Sequence, residues 1–300
     1  MPVMKEGRKD MVKIGDLCPL FFSPIKDNFS VECDYLQTFY TGDNILIQIF
    51  GDSEPQVTLQ NLSAGTGVSV SLETYVHNES VTMYYATLNG LKDGVYKVYI
   101  DGVGSEPFCV TTDETILETT ALIRYSHKDN NSVFDNIFWI GDVQQVFEWR
   151  VEAGFKSQGY APHVDNEQFR NQFQEITELY SMPYDSYTLT MGNAGGVPYW
   201  FVRHLNRVLC VSTVEINGQL WVRSDSSVPE MTQVLDGVPS YNATVVLEPR
   251  ENEVSGTGGV PEEGSSSSVV GFSINNPTDG QMLQYKEDES AFVNVTTVGV

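Results

Sequence analysis

The chain has 300 residues, 41% of them AVILMFWYC and 19% charged, with 15 Tyr and 15 Phe; this composition fills cores and excludes a disordered chain, and the length suits two or three domains. Asp and Glu number 40 against 17 Lys and Arg, leaving a net charge of −23. A surface that acidic repels nucleic acid and anionic lipid, so neither is expected as a partner.

Lys5, Arg8, Lys9 and Lys13 give residues 1–13 the character of a basic N-terminal arm. Gly15, Asp16 and Pro19 interrupt the segment after it, so no secretory leader is expected, and no apolar run is long enough to span a bilayer as a helix. Residues 14–113 then show short strand-like runs at Val31–Leu36, Asn44–Phe50, Gln56–Leu62, Val68–Val76, Val81–Leu88, Gly94–Ile100 and Pro107–Thr111. Turn chemistry separates them, as in Asn89-Gly90 and Asp101-Gly102, and the rhythm predicts an immunoglobulin-like β-sandwich. Cys18, Cys33, Cys109 and Cys210 lack CxxC spacing and are expected as free, mostly buried thiols.

Residues 114–250 read as an α+β domain with one or two short helices. Ala121–Tyr125 and Val133–Ile140 are apolar enough for strands, and Phe147, Trp149, Val151 and Ala153 alternate against Glu148, Arg150 and Glu152 as a strand with its charges facing out. Phe169, Phe173, Ile176 and Tyr180 keep helical spacing behind Asp165, which favours a helix over 165–180; an edge strand over Glu175–Ser181, stopped by Pro183, is the alternative. Tyr187–Met191 predicts a strand, and Gly192, Gly195 and Gly196 a reversal. A helix opened by Pro198 comes next, with Trp200, Phe201, Leu205, Val208 and Leu209 on its apolar face. Val211–Ile216 and Gln219–Arg223 form a hairpin across Asn217-Gly218, and Tyr241–Leu247 closes the domain.

Glu251–Ser268 has no large apolar residue and reads as a Gly/Ser-rich linker over 251–268. Residues 269–300 return to apolar side chains and read as a small docking motif, its partner-interface candidates being Phe272, Ile274, Pro277, Gly280, Gln281, Met282, Leu283, Tyr285, Phe292, Val293 and Asn294.

A nucleophile elbow, a phosphate loop, an HExxH helix and an EF-hand loop are absent from the sequence, and His77, His127, His163 and His204 share no ligand spacing. Asp129, Asn131 and Asp135 lack the glycine turn and bidentate Glu of a calcium loop. Glu148 with Glu152, or Glu175 with Glu178, would suit paired-acid glycoside hydrolysis but read as solvated faces, and His204 as a solvated or core-edge imidazole. Tyr184, Tyr187, Tyr199, Trp200 and Trp221 would suit sugar stacking, with core packing favoured for the two tryptophans. No enzyme, metal or cofactor is expected.

The C-terminal run Asn275-Asn-Pro-Thr-Asp-Gly-Gln-Met-Leu-Gln-Tyr-Lys with Ala291-Phe-Val-Asn resembles a short β motif of bacteriophage tail-fibre and related virion proteins, Phe292 standing where that motif has Trp. The central segments Phe147-Glu-Trp-Arg-Val-Glu-Ala-Gly-Phe, Met182-Pro-Tyr and Thr188-Leu-Thr-Met-Gly are similar to proteins of phage and prophage tail gene clusters of gut Bacteroidetes. The resemblance implies a homo-oligomeric virion structural protein of the tail, neck or fibre-attachment region. Its implied partners are other copies of itself and neighbouring virion proteins. A host-surface glycan-binding module is the alternative, and a glycosidase ranks below both.

Overall fold

The computed structural model describes residues 13–22, 35–78, 81–130, 139, 143–192, 194–225, 227–250, 281–286 and 291–296. The chain is mainly β and divides into two compact units, residues 1–252 and residues 253–300. The first unit opens with β1 (Lys13–Ile14), β2 (Gln37–Tyr40), β3 (Ile45–Gly51), β4 (Val57–Asn61), β5 (Thr66–Ser69), β6 (Glu73–Asn78), β7 (Val81–Leu88), β8 (Gly94–Ile100), β9 (Val103–Gly104) and β10 (Phe108–Thr111). It continues with α1 (Glu114–Leu117), β11 (Ala121–Ser126), β12 (Phe147–Val151), β13 (Ala153–Arg170), β14 (Ile176–Met191), β15 (Val197–Pro198), α2 (Tyr199–Val208), β16 (Thr213–Ile216), β17 (Gln219–Arg223), β18 (Glu230–Gln233) and β19 (Ser240–Pro249). The second unit contains β20 (Gln281–Lys286) and β21 (Ala291–Thr296).

The first ten strands form two sheets, ordered β1-β3-β7-β6 and β2-β10-β8-β4-β5, with β9 also on β8. Period-two patterning makes them a sandwich. Ile45, Ile47 and Ile49 point inward from β3, Val98 and Ile100 from β8 and Val110 from β10, all within one apolar cluster. The expected Val68–Val76 strand is two strands, because the chain crosses between sheets: β5 pairs with β4 and β6 with β7. Positions 31–34 of the expected Val31–Leu36 strand, together with Cys33, lie outside the described residues, and β2 begins at Gln37.

The third sheet has nine strands, ordered β12-β11-β16-β17-β19-β14-β13, with β15 and β18 also on β19. The face of α2 predicted from sequence is buried on it: Trp200, Phe201, Leu205, Val208 and Leu209 join Trp149, Ile123 and Leu189 in a second core. Asn217 and Gly218 take φ of 51° and 86°, as their hairpin requires. The expected strand at Val133–Ile140 lies outside the described residues, except for Trp139.

Two expectations about strands and helices fail. The segment 165–180 is not a helix but the far end of a β13–β14 hairpin, in which Asp165 pairs with Met182 and Phe169 with Thr177. Asn171 Oδ1 accepts from the amides of Phe173 and Glu175, and Gln174 takes φ 66°, so a turn stands at mid-segment where a helix would need continuous αR backbone. The charges of β12 do not face solvent either, because the sandwich covers them. Arg150 forms a fork with Asp43 (Nε–Oδ2 2.6 Å, Nη2–Oδ1 2.9 Å), and Glu148 accepts from the Asn44 amide at 2.9 Å.

The connection from β1 to β2 serves both cores. Leu17 and Phe21 enter the nine-stranded sheet's core, while Cys18, Leu20 and Phe22 enter the sandwich core. Gly15 starts this wedge where a Cβ would collide with Gln48 Oε1, so no larger residue fits without displacing that side chain.

Candidate functional site

The longest run of exposed strand is the outer part of the β13–β14 hairpin. β19 supports β14 only from Tyr187 to Met191, and beyond Tyr187 the two strands run as a ribbon of their own. Residues 160–170 alone extend it by about 35 Å at a strand's rise per residue. Along it Val164, Phe169, Ile176, Leu179, Tyr180 and Met182 are exposed, and Phe173 at the tip is 75% exposed.

Residues paired across an antiparallel ladder project to the same face. One face of this arm therefore holds His163 with Tyr184, Asp165 with Met182, Glu167 with Tyr180 and, past an irregularity after Glu167, Phe169 with Thr177. The His163 and Tyr184 rings stack with centroids 5.1 Å apart. The Tyr180 hydroxyl donates to Asp165 Oδ1 at 3.2 Å, and the neighbouring carboxylate raises the Tyr180 pKa above its ordinary value. Tyr160, Pro162, Val164, Ser181 and Pro183 occupy the other face by the same pairing.

The remaining candidates are dispersed. Tyr184 is on the arm, Tyr199 packs by Tyr241, Tyr187 meets Trp221 edge-on, and Trp200 is core, so the aromatics proposed for sugar stacking form no single platform. His204 is neither solvated nor at the core edge. It is 2% exposed, stacked on Trp200, edge-on to Trp149 and 3.4 Å from the Tyr125 hydroxyl, because α2 turns it toward the sheet.

Among the acids, Glu148 bonds Arg124, Glu175 accepts from Asn171, and burial raises the pKa of Glu152. Ser186 lies 2.8 Å from His163 Nε2, yet it is 2% exposed, which denies a substrate access to its hydroxyl. Among the described residues no three His, Cys, Asp or Glu gather as metal ligands, and no helix is long and apolar enough to cross a membrane. Asn131 and Asp135 are outside the described residues; of the cysteines Cys18 is buried, Cys109 half-buried and Cys210 exposed.

In the second unit β20 and β21 pair antiparallel, Leu283 opposite Asn294 and Tyr285 opposite Phe292, so Gln281, Met282, Leu283, Tyr285, Phe292, Val293 and Asn294 lie on one hairpin. Phe272, Ile274, Pro277 and Gly280, like the linker 251–268, fall outside the described residues. The arm was missed in the sequence because its apolar residues fit both helical and strand periods. Pro162 and Pro183, placed across the ladder from Asp185 and Val164, are the signal that would have argued for an edge-rich ribbon over a helix. No protein-family model and no curated protein matches the chain.

Proposed function

We propose that the chain is a non-enzymatic structural protein of a tailed-bacteriophage virion, located in the tail, neck or fibre-attachment region and assembled through contacts with copies of itself and neighbouring virion proteins. The observation that carries this reading is the arm. A two-stranded ribbon is marginal in water, and this one holds exposed Phe, Tyr, Met, Ile and Leu far from the body that anchors it. Such a surface belongs against another polypeptide.

Two features support the architecture in this reading. The sandwich orders β1-β3-β7-β6 against β2-β10-β8-β4-β5, with β2 parallel to β10, which corresponds to an immunoglobulin-like ABED sheet facing A′GFCC′. The C-terminal hairpin carries the apolar part of the motif that resembles tail-fibre proteins. The test is incorporation. Particles formed with a chain lacking residues 269–300 should exclude the protein, while residues 1–252 keep their far-UV spectrum; normal incorporation of the truncated chain would remove the docking role of that end. Failure to find the intact chain in purified particles by mass spectrometry would remove the virion reading altogether.

A further inference from the structure

In an Asn-Gly pair the asparagine carboxamide meets the least shielded of backbone nitrogens, because glycine puts no side chain beside it. The chain has two such pairs, Asn89-Gly90 and Asn217-Gly218. By exposure they are alike: all of these residues are exposed, and a Cβ at Gly90 or at Gly218 would meet nothing within 4 Å. Both glycines take positive φ, 61° at Gly90 and 86° at Gly218. Hydrogen bonding separates the two pairs.

Asn217 is tied to β11 by backbone and side chain together. Its backbone amide donates to the Leu122 carbonyl at 3.0 Å, and its Oδ1 accepts from the Leu122 amide at 2.9 Å. Swinging Cγ toward the Gly218 nitrogen would break the Oδ1 bond and strip the Leu122 amide of its acceptor. The connection from β7 to β8, which holds Asn89, is tied only in its far half. There the Tyr96 hydroxyl donates to the Lys92 carbonyl at 2.9 Å, and Thr112 Oγ1 donates to Asp93 Oδ2 at 2.8 Å. In the near half, neither the Asn89 carboxamide nor the Gly90 amide has a hydrogen-bond partner among the described residues.

We propose that Asn89 is a site of spontaneous deamidation, which the fold leaves open while closing Asn217, its twin in sequence. The Gly90 nitrogen loses its proton to hydroxide and attacks Asn89 Cγ. The new N–Cγ bond closes a succinimide ring as the Cγ–Nδ2 bond breaks, and the departing nitrogen takes a proton from water and leaves as ammonia. Water then adds to either succinimide carbonyl and opens the ring, giving aspartate or isoaspartate at position 89. Nothing is oxidised or reduced, and water is the co-reactant. Each event adds one negative charge to a chain already at −23. The isoaspartate branch also reroutes the main chain through the side-chain carboxyl carbon and so lengthens it by a methylene. That extra atom falls directly after Leu88, which is 8% exposed and paired with Ile45 of β3.

The experiment ages the full chain for weeks at neutral and at mildly alkaline pH, folded and in urea, and maps its peptides by mass spectrometry. In the folded chain position 89 should gain the mass of an NH2-to-OH exchange at least about tenfold faster than position 217, the ratio that a barrier difference of about 1.4 kcal/mol produces. Conversion should be faster at alkaline pH, because the Gly90 amide must lose its proton before it attacks. In urea the two positions should converge, since the bonds to Leu122 are gone. Asn89→Gln, whose longer side chain closes the ring poorly, should abolish conversion at that position and keep the far-UV spectrum of the parent. Conversion of Asn217 as fast as Asn89 in the folded chain, an Asn89 that reacts only in urea, or a rate indifferent to pH would each overturn the proposal. So would isoaspartate confined to Asp-Gly pairs such as Asp236-Gly237, formed with no gain in mass, while position 89 stays unchanged.

Discussion

Replacing Arg150 by Met tests whether the sandwich and the nine-stranded sheet are one body. The guanidinium makes two bonds to Asp43, 2.6 and 2.9 Å, and a third to Thr120 Oγ1 at 3.1 Å, with side-chain exposure of 11% for Arg150 and 4% for Asp43. Methionine keeps much of the apolar stem but leaves the Asp43 carboxylate buried beside the Tyr40 amide, which donates to it at 2.8 Å. An orphaned buried charge costs about 3–5 kcal/mol, against about 0–1 kcal/mol for an exposed pair. Trp149, Trp200 and Trp221 are in the sheet's core and Trp139 touches both Phe147 of the sheet and Tyr85 of the sandwich, so tryptophan emission follows chiefly the sheet while far-UV dichroism follows both parts. In urea the parent should show coincident transitions. Arg150→Met should lose about 3–5 kcal/mol, and its two signals should separate. Adding Asp43→Asn should restore part of the loss by removing the stranded charge. A loss below about 1 kcal/mol would refute the reasoning, since it would mean that water already screens the pair.

Two further changes probe the shared wedge and the sheet's core. Gly15→Val places carbon where Gln48 Oε1 stands, and Gln48 also receives the Leu17 amide at 3.3 Å, so the variant should lose about 1–3 kcal/mol by urea titration; an unchanged midpoint would show that the wedge moves freely. Tyr125 is fully buried, and desolvation holds its pKa well above the ordinary value of about 10, so its neutral form is favoured by folding. The unfolded tyrosine ionises first, so this contribution is complete below pH 10 and is lost as pH rises above it, by about 1.4 kcal/mol at pH 11. Tyr125→Phe should therefore lose about that much less stability than the parent between pH 8 and pH 11, and an equal loss would show that Tyr125 ionises in the fold.

What the sequence disclosed depended on whether a residue's own neighbourhood decides its fate. Asn217-Gly218 specifies its turn by backbone conformation alone, and the apolar stripe of α2 specifies its buried face by period alone. The charges of β12 obey the same alternation, yet their destination depends on Asp43 and Asn44, which lie more than a hundred positions away; a polar face covered by another polar face has the sequence signature of a wet one. The arm fails differently. Phe169, Phe173, Ile176 and Tyr180 satisfy a helical period, and only the pairing of β13 with β14 decides against it. Short ribbons without a core obey weak local rules, so the pairing of the two strands decides what the spacing of apolar residues leaves open.

The anchoring of the arm determines what it can do for assembly. Leu17 and Phe21 lock one core while Cys18, Leu20 and Phe22 lock the other, and the Asp43–Arg150 fork closes the seam between them. The ribbon leaves this body through Leu189 and Met191, both fully buried, with β14 held by β19 up to Tyr187. An element rooted in that way gives up little orientational freedom when it docks, so more of its apolar contact survives as affinity. If the Arg150→Met clamp variant also lowered incorporation into particles, with its arm sequence untouched, preorganisation by the body would be the cause. Equal incorporation of parent and clamp variant would place all of the affinity in the arm's own side chains.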